Sequence, residues 1–180
     1  MPGRNLPEMT HAINLFPEGV RVIGGNEELH KAVGSFVSLA IEAAGAAAGS
    51  LYVIDATKQA LIPYLTIGLP RTYIEECGAV ALGDQCCGRA ALSKKQWVVA
   101  DMLNDPHFQS ARAAAERSPV RAAFSTPLIE PNGECIGSLA CHFFEPHTPS
   151  SADLMSIKLW AEMITQTLKQ GHSSAVATHA

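Results

Sequence analysis

Arg121-Ala122-Ala123-Phe124-Ser125-Thr126-Pro127-Leu128-Ile129-Glu130-Pro131-Asn132-Gly133-Glu134-Cys135-Ile136-Gly137-Ser138-Leu139-Ala140-Cys141-His142-Phe143-Phe144 is the stretch on which the fold turns. Two apolar runs, Arg121–Leu128 and Glu134–Phe144, flank a short polar break. Asn132-Gly133 between such runs predicts a hairpin, because both residue types tolerate positive φ. Strands joined this way run antiparallel, so the sheet is at least partly antiparallel. Alternation along the second strand puts Cys141 and His142 on opposite faces. The same alternation puts Cys135 and Cys141 on one face but ~20 Å apart, too far to bridge each other.

Upstream, Asn26 is a candidate helix N-cap, with Glu27 and Glu28 in a first turn that favours carboxylates. Leu29, Val33, Phe36, Ala40, Ala43 and Ala47 recur at steps of four and three, the spacing of one helical face. Gly45 and Gly49 should stop that helix. Ser50–Asp55 and Ala60–Ile67 predict a second hairpin, with Pro63 marking an edge strand. Arg71–Cys77 predicts a short helix with Tyr73 and Ile74 inward. Asp84 is placed to cap another that begins near Cys86. Trp97–Ala100 predicts a short strand, Asn104-Asp105-Pro106 a break, and Ser110–Arg117 an alanine-rich helix. Downstream, Ser150 and Asp153 form a capping-box pattern before a stripe of Leu154, Ile157, Ala161, Ile164 and Leu168, which Gly171 should end. The reading is a leader over 1–25, one domain over 26–170 and a tail over 171–180. The two terminal helices should cover one sheet face, with a pocket on the other beneath residues 71–117.

Composition narrows the function classes. The chain has 180 residues, 47% hydrophobic and 17% charged, which suits one globular domain. A net charge of −4 and scattered Lys and Arg make a nucleic-acid clamp a poor reading. Nothing resembles a signal peptide or a membrane span, so a cytoplasmic protein is expected. Five cysteines without a Cys-x-x-Cys point to reduced thiols, and no metal ligand set stands out.

Gly83 to Phe144 resembles the core of the GAF family. The likeness is carried by Gly83-Asp84-Gln85-Cys86-Cys87-Gly88-Arg89-Ala90, Val98-Val99-Ala100-Asp101, Asn104-Asp105-Pro106-His107-Phe108, the Ser125-Thr126-Pro127-Leu128 strand and Ile136-Gly137-Ser138-Leu139. The Glu145–Ser150 bridge into the last helix is similar too. With the first helix and hairpin the likeness spans roughly 26–170, and its motifs resemble GAF domains of bacterial sensor histidine kinases. It implies an α+β fold, with a central antiparallel sheet of about six strands and helices on both faces. It also implies a homodimer through the terminal helices and an output partner such as a histidine kinase. GAF domains bind cyclic nucleotides, haem, bilins or small metabolites, so the fold leaves the ligand and any cofactor open.

The expected ligand-binding set is Tyr52, Cys87, Arg89, Phe108, Arg121, Phe124, Ser125 and Ser138. Arg89 and Arg121 suit an anion, or alternatively surface ion pairs with Asp84 or Asp101. Ser125, Thr126 and Ser138 put hydroxyls in mid-strand, facing a polar cavity or bonded to backbone. Cys86 and Cys87 at a helix start invite a lowered thiol pKa, or else simple gap filling. Three functions follow: a sensory domain that reports occupancy through its terminal helices, a thiol enzyme like the GAF-fold free methionine-R-sulfoxide reductases, or a ligandless dimerisation module. Cys141-His142 lies on the strand after the Pro127-Leu128 strand, unlike the bilin-attaching pair of phytochrome-related GAF domains. His107 and His142 are candidate haem or metal ligands, though they read first as hydrogen-bonded structural residues.

Overall fold

The computed structural model describes residues 27–177, with the backbone alone at 172–177. The expected leader and the Asn26 cap lie outside the described residues. Helix α1 (Glu27–Ala43) is followed by strands β1 (Ala48–Asp55) and β2 (Ala60–Ile67), helix α2 (Arg71–Cys77), strand β3 (Val80–Ala81) and helix α3 (Gln85–Ser93). Then come strand β4 (Trp97–Val99), helix α4 (Arg112–Glu116), strands β5 (Ala122–Ile129) and β6 (Cys135–Phe143), and helix α5 (Ser151–Ala177). The six strands form one antiparallel sheet in the order β3-β2-β1-β6-β5-β4. The expected α+β architecture, with five helices on two faces, is what forms.

The β5–β6 hairpin has a different turn from the one expected. Gly133 N–H bonds the Glu130 carbonyl at 2.8 Å, with Gly133 at φ +83°, and Asn132 does not adopt positive φ. Pro131 takes the second turn position and Asn132 Oδ1 instead accepts from Glu134 N–H at 3.0 Å. The loop is therefore a four-residue turn closed by a left-handed glycine. Beyond it, Ile129 pairs with Cys135 but Leu128 pairs with Gly137, leaving Ile136 as a bulge. The extra residue flips the alternation. Cys141 consequently packs among the terminal helices, while Cys135 joins Tyr52 and Cys87 on the opposite side. The expectation that these two cysteines share a face is overturned by that bulge.

Helices α1 and α5 lie together over one face. Val33, Val37 and Ala40 of α1 and Ile157, Ala161 and Ile164 of α5 are buried against Leu51, Phe124, Leu128 and Leu139 of the sheet. The true α1 stripe adds Val37 and Ile41, and the helix ends at Ala43, with Gly45 at φ +60° behind it. Ala47 and Gly49 belong to the approach and body of β1, so Gly49 stops nothing. The α5 start follows expectation: Ser150 N–H bonds Asp153 Oδ2 at 2.8 Å and Asp153 N–H bonds Ser150 Oγ at 3.2 Å, a reciprocal capping box. The α5 end does not. The helix runs through Ala177, and Gly171 lies inside it where a Cβ would push aside the terminal methyls of Leu29 of α1. Gly171 is thus a close-packing residue. Pro63 sits in β2 past the two residues that pair with β3, at the part of the strand with an open edge.

Candidate functional site

The opposite face of the sheet is covered by α2, α3 and the segment from Met102 to Ala115. Helix α3 is held very close to β3, because a Cβ at Gly88 would strike the Ala81 carbonyl. Its first turn is anchored by Asp84, whose Oδ1 accepts from Gln85 N–H at 2.8 Å and from the Ser110 hydroxyl at 2.8 Å. Gln85 follows at φ +48°, a left-handed conformation that costs a side-chain-bearing residue about 1–3 kcal/mol and often marks a functional turn.

Between these helices and the sheet lies a small, partly open cavity of about 20 Å³, which is room for one water. Strands β1 and β6 supply Ser50, Tyr52 and His142, strand β5 supplies Ser125, and α3 supplies Gln85, Cys86 and Cys87. Tyr73 and Cys77 of α2 and Phe108 close it from above. No charged side chain is among its lining residues.

Polar groups in this cavity are buried and incompletely matched. The Ser50 hydroxyl and His142 Nε2 are 2.9 Å apart, with the donor set by the imidazole tautomer. His142 Nδ1 has no partner, and the Ser125 hydroxyl has only the weakly bonding Cys86 thiol beside it. An unmatched buried polar atom costs about 1–3 kcal/mol. Burial holds the His142 imidazole down to about 4, so it is neutral near pH 7. Tyr73 meets the His142 ring edge-on with centroids 6.3 Å apart, and its hydroxyl points to Met102 Sδ at 3.6 Å.

The thiols are not activated. Burial pushes Cys86 up to about 12, an effect that Ser125 offsets only in part, and pushes Cys77 up to about 11. Cys87 is also raised, first by burial and then by neighbouring Cys86. The helix dipole, which suggested lowered values, is outweighed by loss of solvent. Cys86 instead donates to the Trp97 carbonyl at 3.2 Å and the Ala123 carbonyl at 3.6 Å, as a small core residue does.

Of the eight expected site residues, the fold gathers four at the cavity: Tyr52, Cys87, Phe108 and Ser125. Ser138 is buried and donates to the Thr126 carbonyl at 3.4 Å, outside the cavity lining. Phe124 projects to the other face, where it stacks on Phe143. Arg121 is paired with Asp101 at 3.0 Å, the alternative its sequence context allowed. Arg89 lies over the Trp97 ring and donates to the His107 carbonyl at 3.2 Å. Ser50, Gln85 and His142 were missed as cavity residues. The signal for two of them was present, since Ser50 is two residues from Tyr52, and His142 is four from Ser138, on strands of period two. Among the described residues no Cys, His, Asp and Glu cluster could hold a metal, and no helix is long and apolar enough to cross a membrane.

Comparison with known proteins places this geometry. A sensor histidine kinase domain from Sinorhizobium meliloti superposes with a TM-score of 0.71 at 11% identity, over 83% of this chain and 96% of that one. The GAF domain of a phosphoenolpyruvate-protein phosphotransferase from Coxiella burnetii gives 0.71 at 19%, over 86% and 90%. Free methionine-R-sulfoxide reductase from Neisseria meningitidis, solved with its substrate, gives 0.60 at 18%, over 86% and 89%. At these identities the likeness concerns the fold alone. No curated protein matches the chain in sequence. The GAF domain family model matches residues 28–168, which takes in all six strands and both covering layers, and the chain belongs to the GAF domain family.

Proposed function

We propose that this protein is a sensory module whose cavity beneath α2 and α3 takes a small, neutral, hydrogen-bonding molecule. The observation that carries the reading is the pair of poorly matched buried atoms, His142 Nδ1 and Ser125 Oγ, in a cavity with no charged lining. A ligand would satisfy them and displace Tyr73 or Phe108 to enlarge the space. The two arginines offered for an anion are occupied elsewhere.

Strand β6 supplies a route outward. His142 faces the cavity, and adjacent Cys141 packs beneath α1 with its thiol 3.9 Å from the Ala40 carbonyl. A shift of β6 therefore bears directly on the terminal helices, and occupancy would bias their packing. Those helices also expose Leu39, Met155, Leu159 and Met163. The last three recur every fourth residue along α5, a stripe suited to a homodimer seam continuing toward an output domain.

A thermal-shift screen of small neutral metabolites tests the reading. A true ligand raises Tm with concentration in the wild type and fails to do so in His142→Leu. A dimer that no compound stabilises would favour the ligandless module instead. The reductase reading rests on Cys77, Cys86 and Cys87 lining one cavity. It requires turnover of methionine sulfoxide with a dithiol, lost in Cys86→Ser or Cys87→Ser.

A further inference from the structure

A second concavity, on the opposite side of the sheet, is far larger. It is a groove of about 660 Å³ between α5 and the outer edge of β5, within the range of about 300–1,000 Å³ usual for small-molecule sites. It exists because β4 is short. β4 pairs with β5 only from Ala123 to Ser125, so β5 is uncovered from Thr126 onward. Pro127 lacks the N–H that a further strand would need there. Gln96 closes one end, its Nε2 bonding Thr126 Oγ1 at 2.9 Å and the Leu154 carbonyl of α5 at 2.7 Å.

The charge of the groove is distinctive. The chain has six lysines, and four of them, Lys94, Lys95, Lys158 and Lys169, line this one groove, while no described arginine does. The other two are each paired with a carboxylate: Lys31 with Glu27 at 2.6 Å and Lys58 with Asp55 at 3.5 Å. Within the groove, Lys94 Nζ donates to the Gly133 carbonyl at 2.7 Å. No described carboxylate pairs with Lys94, Lys95 or Lys158. Among the described lining residues Glu162 is the single acidic one, so positive charge is in excess there. Pro127, Ile129 and Pro131 add apolar surface. Lys94 and Lys95 approach from the α3–β4 connection and Lys158 and Lys169 from α5, so the ammonium groups flank the apolar surface from two sides.

We propose that this groove binds an organic phosphate, with phosphate oxygens on the lysines and a flat or apolar body against Pro127, Ile129 and Pro131. Lysine acts as a point charge toward phosphate, and several from different walls can serve one polyanion. The site is separate from the small cavity, from which the sheet divides it, and it does not depend on that cavity's ligand.

The probe is trinitrophenyl-ATP, a fluorescent polyphosphate with an aromatic body, titrated into the full chain and followed by fluorescence. Saturable binding is expected, weakening as salt rises. The double variant Lys95→Gln/Lys158→Gln should raise Kd by roughly tenfold or more, with Tm and circular dichroism unchanged because both side chains are exposed. Lys95→Arg/Lys158→Arg should retain binding, and Lys31→Gln should leave it unaltered. Inorganic triphosphate should compete more weakly than ATP. The proposal falls if no saturation is seen by about 1 mM, a Kd of negligible selectivity. It falls equally if the double glutamine variant binds as the wild type does, or if trinitrophenol binds as well as the nucleotide. A poly-glutamate peptide that binds where the nucleotide does not would reassign the groove to an acidic protein segment and also overturn it.

Discussion

The two faces of the sheet are made by the same strands and differ in what they bury. Toward α1 and α5 the side chains are Leu51, Phe124, Leu128, Leu139 and Phe143, matched by Val33, Val37, Ile157 and Ile164. Toward α2 and α3 they include Ser50, Ser125 and His142, with two polar atoms poorly matched. Burial of the first kind stabilises the fold by about 25 cal/mol per Å². Burial of the second kind detracts from it. Adjacent residues of one strand, Phe124 and Ser125, thus serve opposite ends. The helix-covered face also buries an unmatched group, the Tyr64 hydroxyl, so the two faces differ in how much polar surface they bury and not in kind.

That contrast can be broken most directly at Phe124. Phe124→Ala empties a fully buried ring site beside Phe143 and should cost about 3–5 kcal/mol of unfolding free energy in urea. A loss under about 1 kcal/mol would mean that the helix-covered face is not the stabilising one.

Next in size is the response to pH. His142 is held down to about 4 in the fold, against an ordinary value near 6.5. Between those values the unfolded chain binds a proton that the folded chain does not, so stability rises with pH across the window. The contribution is fully present above pH 6.5 and is lost as pH falls toward 4, by about 3 kcal/mol at most. Comparing the wild type with His142→Gln at pH 7, 5.5 and 4.5 sharpens the contrast. Equal pH slopes in the two proteins would show that His142 is not buried neutral.

The smallest effect is expected at Ser125. Ser125→Ala removes a hydroxyl with only a thiol beside it and should alter stability by less than about 1 kcal/mol, in the stabilising direction. A loss of about 2 kcal/mol or more would show that the hydroxyl is already satisfied, by an ordered water or by the Cys86 thiol.

Much of the architecture was legible because it rests on local signals. The Ser150–Asp153 box, the Asp84 cap, the helical strides of α1 and α5, and the break at residues 130–133 each follow from neighbours in the chain. Readings went astray where a distant segment decided the outcome. Gly171 looks like a stop, yet Leu29, far away in sequence, needs the space its missing side chain leaves. Cys135 looks co-facial with Cys141, until the pairing of β5 with β6 forces a bulge at Ile136. Arg121 allowed either an anion or an ion pair with Asp101, and only the distant segment chose the ion pair. The site was half legible for the same reason: alternation shows which residues share a face, not what stands opposite them.

By itself, then, the order of residues determined the longer elements, their antiparallel connection at Gly133 and the division of unbulged strand stretches into two chemical faces. Those properties depend on backbone periodicity and turn stereochemistry, which act over a few residues. The tertiary structure alone decided that His142 is neutral, that the Cys86 and Cys87 thiols stay protonated, and that four lysines meet in one groove. Desolvation and Coulomb interactions depend on distance through space, and only folding sets that distance.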